Sequence, residues 1–145
     1  MYKPNDEDIE IQKSILEGER EPFIFRFYFN NKSILYGFVA KGETGFTQYG
    51  LDIIAAAVSA LIINTIHSLK HLTKDNVEAD MQRNYSKCIL PDLKTKNRGS
   101  KEAKTLLKSL EMGMYSIQNT YGEKYITIEK IYEEQKISRF KIFQR

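Results

Sequence analysis

The chain has 145 residues, a formal net charge of +3, 41% hydrophobic and 28% charged side chains, three prolines and eight glycines. That length suits about one domain with a real core, and the balance excludes a disordered or collagen-like chain. One cysteine excludes an internal disulfide and a four-cysteine zinc module, and a charge this small is no argument for nucleic acid by itself.

The opening residues, Met1, Tyr2, Lys3, Pro4, Asn5, Asp6, Glu7 and Asp8, are polar and acidic. No secretory signal is visible, so a cytoplasmic protein is expected. The first 21 residues hold seven acidic groups against three basic ones. Within them Ile9, Ile11, Ile15 and Leu16 space a weak amphipathic helix over residues 6–18, with Gly18 as its stop. Residues 22–30 alternate strictly, with Phe23, Phe25, Phe27 and Phe29 on one face and Ile24, Arg26 and Tyr28 on the other; that is a strand with one buried face. Asn30, Asn31 and Lys32 make a turn, because asparagine tolerates positive φ. Residues 33–41 return as the second strand of a hairpin, through Ile34, Tyr36, Phe38 and Ala40.

Residues 42–50 are a loop with three glycines, Gly42, Gly45 and Gly50. The strongest helix follows over residues 51–72. It is apolar nearly all round in its first half, which predicts burial on most sides, in a core or a subunit interface. Its apolar run from 51 to 63 contains Asp52 and Ser59, and at 13 residues it is too short to span a membrane. Residues 79–89 read as one strand and 92–100 as a basic loop. Residues 100–120 form a second helix, with Ser100 as N-cap, Leu106, Leu107, Leu110, Met114 and Ile117 as its apolar stripe, and Gly122 as its end. A last strand runs over 124–132. The order α-β-β-α-β-α-β predicts an α+β fold: a small mixed or antiparallel sheet with two main helices packed on it, plus the N-terminal helix.

The stretch Gly42, Glu43, Thr44, Gly45, Phe46, Thr47, Gln48, Tyr49, Gly50, Leu51, Asp52, Ile53, Ile54, Ala55, Ala56, Ala57, Val58, Ser59, Ala60, Leu61 resembles, without a gap, the signature of the ribosomal-processing cysteine proteases, the Prp family. That signature runs Gly-His, a glycine loop with Tyr-Gly, then Asp-Ile-Val-Cys-Ala-Ala-Val-Ser-Ala. The preceding hairpin, the helix beginning at Glu102 and Ala103, and Tyr121, Gly122 and Glu123 before the closing strand are similar to that family too. The resemblance implies a single domain over 1–145, with a family core of about 23–132, a helical extension over 1–21 and a basic tail over 133–145. It implies a histidine–cysteine dyad, the thiolate being activated by the imidazole and the positive end of the helix. It also implies a peptide partner, such as the N-terminal extension of a ribosomal or phage protein, bound near Gly42, Gly45, Tyr49 and Gly50, and a homodimer without a cofactor.

The dyad positions depart from the pattern: Glu43 replaces the histidine and Ala55 the cysteine. Alanine has no nucleophilic atom, so the resemblance implies a pseudoprotease that binds without cutting. The nearby family positions survive as Asp52 and Ser59. Other readings remain open: an engineered inactive form of a true peptidase, an acid–base enzyme using Glu43 with Asp52, or a ribosome- or RNA-binding module using the basic segment 83–108. Structural roles are favoured for the remaining candidates. Asp52 meets the free N–H groups of the first helical turn. Ser59 permits close packing. His67 and His71, one turn apart, form a solvated or interfacial pair rather than a metal site. Cys88 is a half-buried strand residue.

Overall fold

The computed structural model describes Asp6 and residues 23–42, 49–82, 84–123 and 125–133, with the backbone only for residues 49–52. Apart from Asp6, the expected N-terminal helix lies outside these residues, as does the tail beyond Glu133.

Strand β1 (Phe23–Phe29) alternates as its sequence dictates, with its four phenylalanines buried. Asn30 turns the chain into β2 (Leu35–Lys41) and is itself buried. Its side-chain oxygen accepts from the N–H of Lys32 (2.9 Å) and Ile34 (3.1 Å), and its amide donates to the Leu93 carbonyl (2.9 Å) and to Asn97 Oδ1 (2.6 Å). A buried amide so satisfied fixes the turn and ties it to a distant segment. The expected alternation through Ile34 and Tyr36 is broken. Tyr28 pairs with Gly37 and Phe29 with Leu35, so Tyr36 is the extra residue of a bulge. Leu35 therefore enters the core layer, while the Tyr36 ring lies 6.2 Å from that of Tyr28, beyond the other face.

Helix α1 (Tyr49–Leu72) begins two residues earlier than expected, so Tyr49 and Gly50 belong to the helix and not to the loop. Ile54, Val58, Ile62, Ile66 and Leu69 form its core face, while Ala56, Ser59, Ala60 and Ile63 are exposed. Within this chain one stripe is buried, so the burial on most sides expected of a core helix is not met by the core alone. The window Ile53–Leu72 has a mean hydropathy of 1.6 over 20 residues, long and apolar enough by composition to cross a bilayer, although the 13-residue run suggested otherwise. Its apolar stripe is instead committed to the sheet.

The single strand predicted over 79–89 is a hairpin of two, β3 (Glu78–Gln82) and β4 (Tyr85–Ile89). Strand β3 is mostly exposed at the sheet edge, so no apolar alternation marks where it stops. The predicted basic loop contains a short helix, α2 (Pro91–Lys96), with Pro91 at its start, Asp92 in its first turn and Asn97 at φ 55° closing it. Helix α3 (Lys101–Tyr121) carries the predicted cap: Ser100 Oγ accepts from the Ala103 N–H at 3.0 Å. Gly122 follows it, and β5 (Ile126–Tyr132) closes the sheet.

The sheet order is β3-β4-β2-β1-β5, with β5 parallel to β1 and the other pairs antiparallel. The fold is thus α+β with a mixed five-stranded sheet. The buried faces of α1 and α3 meet the phenylalanine layer of β1 and Phe38 of β2 in one core. The helices approach closely where Gly113 faces Leu61; a Cβ there would stand 3.0 Å from Leu61 Cδ1.

Candidate functional site

Strand β2 ends beside the first half of α1, which brings Gly42 near the helix segment singled out by its sequence. A cavity of about 230 Å³ opens there. Its apolar wall is Phe23, Val58, Ile62, Ile63 and Met81, and Ser59, Gln82 and Asn84 supply polar groups. Ile63 and Met81, both exposed, form opposing lips on α1 and β3. Ala55 is one turn before Ser59 on the same helical strip, so the position expected to hold a nucleophile continues the line of the groove. The Gly42 N–H donates to the Asn84 carbonyl at 3.2 Å, and a Cβ on Gly42 would run into the Phe23 ring. The strand-end glycine is required by that close approach.

Glu43 and Gly45, and the side chains of Tyr49 and Asp52, lie outside the described residues, so the predicted facing of Glu43 and Ala55 does too. Ala55 is half-buried against the core. Since α1 starts at Tyr49, Ala55 stands in its second turn, deeper than the expected start at Leu51 placed it. Ser59 is exposed. The nearer of the two histidines in the sequence, His67, is eight residues further on, about 12 Å along the axis, so no imidazole of α1 reaches the hydroxyl. The His67 and His71 rings meet edge to face at 6.1 Å on the exposed side. Among the described residues no three His, Cys, Asp or Glu side chains cluster for a metal.

Cys88, the only thiol, is fully buried rather than half-buried. It pairs with Phe38 and with Ala79 across the sheet. Burial pushes its thiol up to about 12, and Lys70 draws it back only in part. Lys70 is in the last turn of α1, fifteen residues and about 22 Å of helix from Ala55. Cys88 is thus a buried thiol held in its protonated form at neutral pH.

The fold splits the basic segment. Lys87 and Lys94 border the sheet face that α1 and α3 leave open, whereas Lys101, Lys104 and Lys108 follow one another along the outer face of α3. The groove residues Met81, Gln82, Asn84, Tyr85 and Ser86 had no sequence signal, because they come from the hairpin that reads as a single strand.

The family model described as cysteine protease Prp matches residues 24–127. No curated protein matches the chain. Among solved structures, the fold is similar to SMU.848 from Streptococcus mutans, with TM-score 0.68, 23% identity, and 78% of this chain and 97% of that one covered. It is also similar to an essential ribosomal processing protease Prp from S. aureus with a covalently linked product peptide (TM-score 0.63, 16% identity, coverage 74% and 98%). The same S. aureus protease with a substrate peptide gives TM-score 0.61, 18% identity, and coverage of 77% and 99%. The match over 24–127, which takes in β1 to β4 and both main helices, together with the 42–61 signature, makes this chain a member of the Prp cysteine protease family.

Proposed function

We propose that this chain is a peptide-binding member of the Prp family that does not cut through a thiol. The observation that carries the reading is Ala55 where the family signature has its cysteine, while the only thiol, Cys88, is sealed in the core. The groove beside Gly42 supports peptide binding: its apolar walls suit a hydrophobic side chain, and its polar groups suit a backbone. The S. aureus relatives with substrate and product peptides make a peptide the natural ligand class. The partner in this reading is the N-terminal extension of a ribosomal or phage protein, met in the cytoplasm by a homodimer. One large apolar side chain buried in the groove contributes roughly 1.5–3 kcal/mol, well short of the roughly 8 kcal/mol of a micromolar complex, so backbone hydrogen bonds along the groove must supply the rest and binding should be weak.

The test is titration of a labelled extension peptide, followed by its intact mass after prolonged incubation. Binding without cleavage, weakened about tenfold or more by Ile63→Glu at the lip, is the expected result. Cleavage that iodoacetamide blocks would overturn the reading, and so would an absence of binding.

A further inference from the structure

The sheet face opposite α1 and α3 carries a second cavity, also about 230 Å³, lined by Arg26, Tyr28, Tyr36, Val39, Lys41, Tyr85, Lys87, Ile89 and Lys94. Four cations, three tyrosines and two aliphatic side chains, without an acid in the lining, are an unusual set for the solvated side of an antiparallel pair, which is ordinarily polar. Lysines already sit over the rings, Lys41 at 5.9 Å from the Tyr85 centroid and Lys94 at 5.8 Å from that of Tyr36. Arg26 is occupied by Glu129 at 3.0 Å. Lys41, Lys87 and Lys94 have no carboxylate within ion-pair distance among the described residues.

We propose that this face docks single-stranded nucleic acid, with bases stacked on Tyr28 and Tyr85 and phosphates held by Lys41, Lys87 and Lys94. Both rings are half-buried and present a surface, while the nearly buried Tyr36 buttresses Tyr28 and positions Lys94. Tyr28 and Tyr85 are two strands and four rows apart in register, about 16 Å by strand spacing and rise. That span exceeds one base, so the ligand is an oligonucleotide and not a mononucleotide. The acids of this face come from its two edge strands or beyond them: Glu129 and Glu133 on one side, Glu78 and Asp80 on the other, and of these Glu133 reaches in to accept from the Tyr36 hydroxyl. Asp80 faces Lys87 in register but accepts from Gln82 at 3.0 Å. A cationic centre between acidic margins confines a polyanion to one track. An acidic peptide is the weaker fit, because the one guanidinium is already taken and aromatic rings give a carboxylate nothing to stack on.

The experiment is fluorescence anisotropy of labelled oligo-U and oligo-dT with the full chain. Binding should fall in the range of about 1–100 μM near physiological salt, with a slope of log K on log salt close to −2 for three phosphates. The charge reversals K87E and K94E, at exposed positions, should together weaken binding about tenfold or more, whereas K101E with K104E on the outer face of α3 should leave it unchanged. Tyr85→Ala should weaken binding too, with circular dichroism reporting the fold. Three results would overturn the proposal: no anisotropy change at about 100 μM protein, equal losses from the two lysine pairs, or polyglutamate competing as well as the oligonucleotides. Peptide binding in the α1 groove is read separately, so either proposal can fail alone.

Discussion

Replacing Ala55 by cysteine restores a sulfur where the family signature has one, and the structure says how it should differ from the native thiol. Cys88 is fully buried and its thiol is pushed up to about 12. At pH 7.5 its thiolate fraction is about 3 in 100,000, against roughly one in ten for an ordinary thiol of about 8.5. Alkylation should therefore be slower by about three orders of magnitude from ionisation alone, and slower still because the sulfur must first be uncovered. Iodoacetamide followed by intact mass should give no adduct on the native chain while a free thiol is consumed, and one adduct in urea. Ala55→Cys should add one adduct under native conditions, since position 55 is half-buried and lies one helical turn before Ser59 of the groove. Only the pair Glu43→His with Ala55→Cys should then cleave an extension peptide, because a thiol without a base stays mostly protonated. Native alkylation of Cys88 within about tenfold of a free thiol would refute the argument from burial.

Asn30→Ala removes four hydrogen bonds and strands the buried Leu93 carbonyl; at about 0.5–1.5 kcal/mol each, a loss near 3 kcal/mol is expected in urea unfolding. Gly37→Ala places a Cβ 2.5 Å from the Cys88 carbonyl oxygen, main chain against main chain across β2 and β4, so a loss of about 1–3 kcal/mol is expected; unchanged stability would show that the strands can separate freely. Burial pushes the Asp75 carboxyl up, but hydrogen bonds from Ser100 and Thr73 outweigh it and hold the group below its ordinary value. Its contribution is then present above about pH 4 and lost as pH falls further, so Asp75→Asn should lower stability at neutral pH and flatten the acid limb of a stability–pH curve.

The alternating phenylalanines of β1, the apolar run of α1 and the Ser100 cap announce themselves, because each is a local pattern whose period or hydrogen bond is set within a few residues. The 42–61 signature likewise carries the family and the loss of its thiol. Other features needed partners far along the chain. The β3–β4 turn has no apolar alternation to mark it, since β3 is an exposed edge, and the groove it builds with α1 was invisible for that reason. The bulge at Tyr36 depends on the register against β1, and it is what turns that ring from the expected core position to the open face. Cys88 reads as an ordinary strand residue; only its place in the core cluster seals it. The basic segment reads as one feature along the chain, yet the sheet and α3 divide its lysines between opposite surfaces. Sequence thus determined β1, the two main helices and the alanine at position 55, while tertiary structure decided the β3–β4 hairpin, the bulge and which side chains share a surface, because register and burial are long-range properties that local spacing does not encode.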